Sequence, residues 1–203
     1  MMNTIHHTSS WNSILTIQIK VIQMSNLLNF AGVTREPQYQ LIEAGTLAKV
    51  RLDIQQGGFN DESRGWTHNM ATQGKTGAVY LKCEFKILEG EFQGRKIWSL
   101  IGLHSPKGNT YEMMGRVLIK EILESARGID PNDTSDIANK KRCINSLADL
   151  DNITFIAEVS IGTDHKGEPK NEIKKAFTID HPEYLKNMKN DLHLEQTNGQ
   201  MPF

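Results

Sequence analysis

Ala78-Val79-Tyr80-Leu81-Lys82-Cys83-Glu84-Phe85-Lys86-Ile87-Leu88, the turn Glu89-Gly90-Glu91-Phe92-Gln93-Gly94 and the return Arg95-Lys96-Ile97-Trp98-Ser99-Leu100-Ile101-Gly102 decide the fold. Side chains of an extended chain point alternately to opposite faces. The first run therefore sends Val79, Leu81, Cys83, Phe85 and Ile87 to a buried face, and Tyr80, Lys82, Glu84 and Lys86 to the other. Two glycines supply the positive-φ positions of a hairpin turn. The pair reads as an antiparallel hairpin, buried on one side, with aromatic and basic side chains exposed on the other.

Working outward, Thr46 to Gln55 alternates again, with Ala48, Val50, Leu52 and Ile54 inward, and stops at Gly57-Gly58. Phe59 to Gly77 reads as a long polar loop that holds Arg64, Trp66, His68 and Lys75. Thr110 to Arg127 carries Met113, Met114, Val117, Leu118, Ile122 and Leu123 at helical spacing, with Asn109 or Thr110 as cap and Gly128 as terminator. Met113 and Met114 are expected in the core. Ile153 to Gly162 and Glu172 to Asp180 alternate around the turn Thr163 to Gly167, with Lys174 and Lys175 on opposite faces of the last strand. The expected chain is mainly β: five strands with one helix between the third and fourth. That is the order of the OB-fold, a five-stranded Greek-key barrel whose face and loops bind oligonucleotides or oligosaccharides.

Three segments follow. Residues 1–43 form an N-terminal extension in which Met24 reads as an alternative start, residues 44–182 form the barrel, and residues 183–203 form a mobile tail. The chain has 203 residues, enough for one good core. Its 23 basic and 24 acidic residues leave a net charge of −1, so any phosphate-binding surface must come from local arrangement. No apolar run has the length of a membrane span. Ser13 to Gln23 is interrupted by Gln18 and Lys20 and lacks a basic lead, so a cytoplasmic protein is expected. Cys83 and Cys143 have no metal spacing and suggest no disulfide framework.

Single-strand binding needs π-faces for bases beside cations for phosphates. The candidate DNA-binding residues are Arg64, Trp66 and Lys75 in the long loop, Tyr80, Lys82, Lys86, Arg95, Lys96 and Trp98 on the hairpin, and Lys174 on the last strand. Lys140-Lys141-Arg142 is the densest cationic run, but it lies in a polar connector and reads as a solvated surface. Aromatic rings on a barrel also stack on sugars or pack against proteins, which keeps a carbohydrate-binding or protein-interaction barrel as the alternative. A small hydrolase comes third, since no nucleophile elbow, phosphate loop or zinc-protease motif occurs. The reading is non-enzymatic, with no cofactor or metal.

The run Gly90 to Trp98, the helix after it and the paired C-terminal hairpin resemble the phage-type single-stranded-DNA-binding proteins over residues 42–182. The resemblance implies coating of single-stranded DNA during replication or recombination, in a phage or prophage setting. The end Met201-Pro202-Phe203 is similar to the tip of bacterial single-stranded-DNA-binding proteins, which implies docking of replication or recombination proteins there. It departs from that family in having only Asp191 and Glu195 nearby in place of an acidic block. Homo-oligomerisation stays open.

Overall fold

The computed structural model describes residues 30–33, 40–184 and 186. The chain divides into two compact units, Met1–Tyr39 and Gln40–Phe203. In the first, Phe30 to Val33 form a turn closed by the Val33 N–H on the Phe30 carbonyl at 3.1 Å. All that follows concerns the second unit.

Its elements are β1 (Leu47–Gln55), β2 (Phe59–Asp61), β3 (Trp66–Gln73), β4 (Val79–Ile87), β5 (Lys96–His104), α1 (Thr110–Arg127), α2 (Asp136–Lys141), β6 (Thr154–Thr163) and β7 (Pro169–Phe177). The five-strand expectation is corrected to seven among the described residues. The segment read as a polar loop folds into the short hairpin β2–β3, with a 3-10 turn at Glu62–Arg64 between. Its polar composition hid this, because β3 buries only Met70, Ala71 and Thr72 at its far end. At Gly57 the chain comes so close to β3 that a Cβ would stand 2.4 Å from the Ala71 carbonyl oxygen. Only glycine fits there.

All the strands pair antiparallel in one curled sheet, a half-barrel with one main helix. β1 lies at its centre, between β4 and β6; β5 pairs with β4, and β7 with β6. β3 takes over beside β4 at Val79 and Tyr80, where β1 stops. The outermost strands β5 and β7 face each other across a seam. There the Ile173 N–H donates to the Ser99 hydroxyl at 3.0 Å. Asn171 of β7 also brackets Ile42, accepting from its N–H at 2.9 Å and donating to its carbonyl at 2.8 Å.

The core follows the alternation that the sequence predicts. Val79, Leu81, Cys83, Phe85 and Ile87 are all buried, and Phe85 meets Phe155 edge-on, with ring centroids 6.1 Å apart. Each such side chain contributes about 1.5–3 kcal/mol. In the last strand a bulge changes the phase. Val159 pairs with Ile173 and Glu158 with Lys175, so Lys174 is the extra residue. Ala176 instead of Lys175 then turns inward, and both lysines are exposed, contrary to the opposite-face expectation.

Helix α1 ends where expected, at Gly128 in the left-handed region (φ 58°). Asn109 occupies the cap position without a side-chain hydrogen bond. The helix buries Leu118, Ile122 and Leu123 and touches β5 through glycines. A Cβ on Gly115 would lie 1.8 Å from the Gly102 carbonyl oxygen. That seat turns Met113, Met114 and Val117 outward, and the expectation of core methionines is corrected: the three are exposed. Farther along the same outer side, Glu124 is buried under the segment after the helix. Arg142 Nε donates to Glu124 at 2.7 Å, and the guanidinium also donates to the carbonyls of Asp130 and Asp133. Arg142 is therefore an internal clamp and not part of a solvated surface.

Candidate nucleic-acid interface

Where β1, β4 and β5 lie side by side, their outward residues fall into rungs. Arg51, Lys86 and Lys96 share one rung; Asp53, Glu84 and Trp98 the next; Gln55, Lys82 and Leu100 the third. Directly opposed side chains on such a face have Cβ atoms about 4.5–5.5 Å apart, so each rung is a contact group. Trp98 is 48% exposed and Leu100 54%. Two apolar side chains thus stand on the open face between basic ones.

The charges on this face are partly used internally. Lys96 Nζ lies 2.8 Å from Glu84, and Arg51 donates to Asp53 at 2.8 Å. The Asp53 carboxylate holds the Arg51 guanidinium above its ordinary value, first through that hydrogen bond and then through charge. Lys82 and Lys86 make no ion pair among the described residues. The face therefore keeps a surplus of two ammonium groups beside the Trp98 ring.

The other expected site residues are placed differently. Tyr80 is half-buried, with its ring over Gly74, where a Cβ would come within 3.4 Å of it. Burial pushes the neighbouring Tyr111 hydroxyl up in pKa. Arg95 precedes β5 and donates to the Gln40 carbonyl at 3.1 Å. Lys75 is exposed in the β3–β4 turn. Lys174, beside the Ser99 seam, is ion-paired with Glu172. Arg64 and Trp66 belong to another region. The Trp66 ring is partly buried against the core, lies 6.4 Å from Phe59 between centroids, and carries the Arg64 guanidinium 5.0 Å above it. Both line a hollow against α1, together with Leu103.

The ten residues thus divide into a face around Trp98, a hollow around Trp66, and scattered cations. Leu100, Arg51 and Gln55 join the face without having been singled out from the sequence. Leu100 was readable, since a leucine at an outward position of the β5 alternation has no core to enter. Met201, Pro202 and Phe203 lie outside the described residues. Among the described residues, no cluster of His, Cys, Asp or Glu could hold a metal ion, and no helix is long and apolar enough to cross a membrane. No protein-family model matches the chain, and no curated protein matches it.

Proposed function

We propose that this chain binds single-stranded DNA, without strong sequence preference, along the outer face of β4 and β5. The observation that carries the reading is the exposed Trp98–Leu100 pair, with Lys82 directly opposite Leu100 and Lys82 and Lys86 one rung to either side of Trp98 on the neighbouring strand. Bases stack on an open aromatic ring irrespective of sequence, and phosphates take up the ammonium groups. The order of the long strands supports an OB-fold: β1, β4 and β5, then α1, then β6 and β7, with β1 between β4 and β6 and β7 returning towards β5. In that fold the second and third strands carry the binding face, and here these are β4 and β5. Hairpin β2–β3 is then an insertion between the first two barrel strands. The setting proposed from the resemblance is phage-type replication or recombination, with the segment ending Met201-Pro202-Phe203 as a docking tip for replication or recombination proteins.

A protein-binding barrel is the second reading, favoured by Leu100, whose aliphatic side chain offers nothing to a phosphate. Titration of tryptophan fluorescence with oligo-dT, duplex DNA and an oligosaccharide, at low and high salt, separates the readings. Tight, salt-sensitive quenching by oligo-dT alone is expected. Equal affinity for duplex, or no binding at low salt, overturns the proposal.

A further inference from the structure

We infer that the hollow between α1, the start of β3 and residues 142–147 is a second binding site, which takes an acidic, apolar peptide segment of a partner protein. Its volume is about 690 Å³. Its walls are mixed, with an aliphatic part formed by Leu103, Val117, Leu123, Ile144 and Leu147. The basic groups Arg64, Arg116, Lys120 and Arg142 line it with a single acid, Glu112. Lys120 and Arg142 are paired with Glu124, and Arg64 lies 3.6 Å from Asp61. Arg116 is exposed and makes no ion pair among the described residues.

The hollow exists because the cover of α1 is incomplete. Met113, Val117 and Glu124 lie on one outer line of the helix, at spacings of four and seven residues. The segment clamped by Arg142 buries Glu124 but stops short of Val117 and Met113, which stay 52% and 54% exposed. An apolar ridge of this kind beside a cleft marks a protein-binding surface, and methionine adapts to varied partners. Charge complementarity selects an acidic partner, with carboxylates meeting Arg116 and Arg64 and an aliphatic or aromatic side chain entering beside Leu123 and Leu147. A nucleic-acid strand suits the hollow less well. Arg64 already covers a face of Trp66, so the ring offers poor stacking for a base, and the apolar side chains of Val117 and Ile144 have no counterpart on a sugar-phosphate strand.

The test uses the full chain and a fluorescently labelled synthetic peptide with Leu and Phe set among Asp and Glu, read by fluorescence polarisation. Saturable binding is expected. Arg116→Glu should weaken it by about tenfold or more while leaving oligo-dT affinity unchanged, and a peptide with Lys in place of its acids should regain binding to that variant. Both mutated positions, Arg116→Glu and a second variant Val117→Asp, are exposed, and unchanged thermal melting confirms that the variants fold. Val117→Asp should also weaken the peptide. The proposal is overturned by any of three results: no saturable binding, equal binding of the Asn/Gln version of the peptide, or equal loss of oligo-dT and peptide in Arg116→Glu. Binding that emerges only after removal of residues 187–203 assigns the hollow to the chain's own C-terminal segment and likewise overturns it.

Discussion

Two tryptophans with similar neighbours in the sequence stand in opposite settings. Trp98 stands on an open sheet face, so Trp98→Ala should weaken oligo-dT binding by about 1–3 kcal/mol and leave the melting temperature nearly unchanged. Trp66 is wedged between Phe59, Arg64 and the core. Trp66→Ala should cost about 2 kcal/mol or more of stability in urea unfolding, while the folded fraction keeps its oligo-dT affinity. Glu121 gives a second test at this scale. Its partial burial raises the carboxyl pKa above the usual value, although the Ala176 N–H and Lys175 oppose the shift. The folded chain therefore holds a proton that the unfolded chain has already released. The contribution to stability is full below the unfolded pKa and is lost as pH rises through the raised folded one. Glu121→Gln should remove this slope, so that the variant gains on the parent as pH rises from the ordinary carboxylate range through the raised folded value, when both are unfolded in urea.

Among the elements, α1 depends on a contact without side chains. Gly115→Ala places a methyl group against the Gly102 carbonyl, and since both sides are backbone the helix itself must shift. A loss of about 1–3 kcal/mol is expected in chemical unfolding, larger than for alanine at exposed Met114. This contact also explains what the sequence could and could not tell. The alternation in β1, β4, β5 and β6 was legible because each of those strands buries one face of a continuous core, which leaves a period of two in the residues. β2 and β3 left no such trace, since the buried residues of β3, Met70, Ala71 and Thr72, are consecutive and not alternate, and His68 and Asn69 take positive φ within it. The helix was legible as a helix, but its orientation was not. Periodicity counts Met113 and Val117 as apolar, whereas close packing chose Gly115. The burial of Arg142 leaves no mark in its own run, because its partner, Glu124, sits 18 residues away in the chain. At the site, Trp98 and its lysines were readable from the hairpin alone, while the separation of Trp66 from them depends on how β3 leaves the sheet.

For the molecule as a whole, a net charge of −1 means that the proposed DNA binding would gain little from long-range attraction and would rest on the local surplus around Trp98. If the strand displaces about two to four counterions, the logarithm of affinity should fall with the logarithm of salt at a slope of about −1.5 to −3. Lys82→Ala should flatten that slope by about 0.7, and a slope unchanged in this variant would remove Lys82 from the interface. The seam between β5 and β7 sets how the curled sheet moves. Elsewhere the sheet is joined by ladders of backbone hydrogen bonds, but here the strands meet through the Ser99 hydroxyl, with Asn171 holding the incoming chain. A ladder opens only when many bonds break together, whereas a single hydroxyl contact opens alone. Amide protons along the seam should therefore exchange with deuterated solvent well before those of β1 and β4, so that the curled sheet is expected to open first on the side next to its candidate binding face.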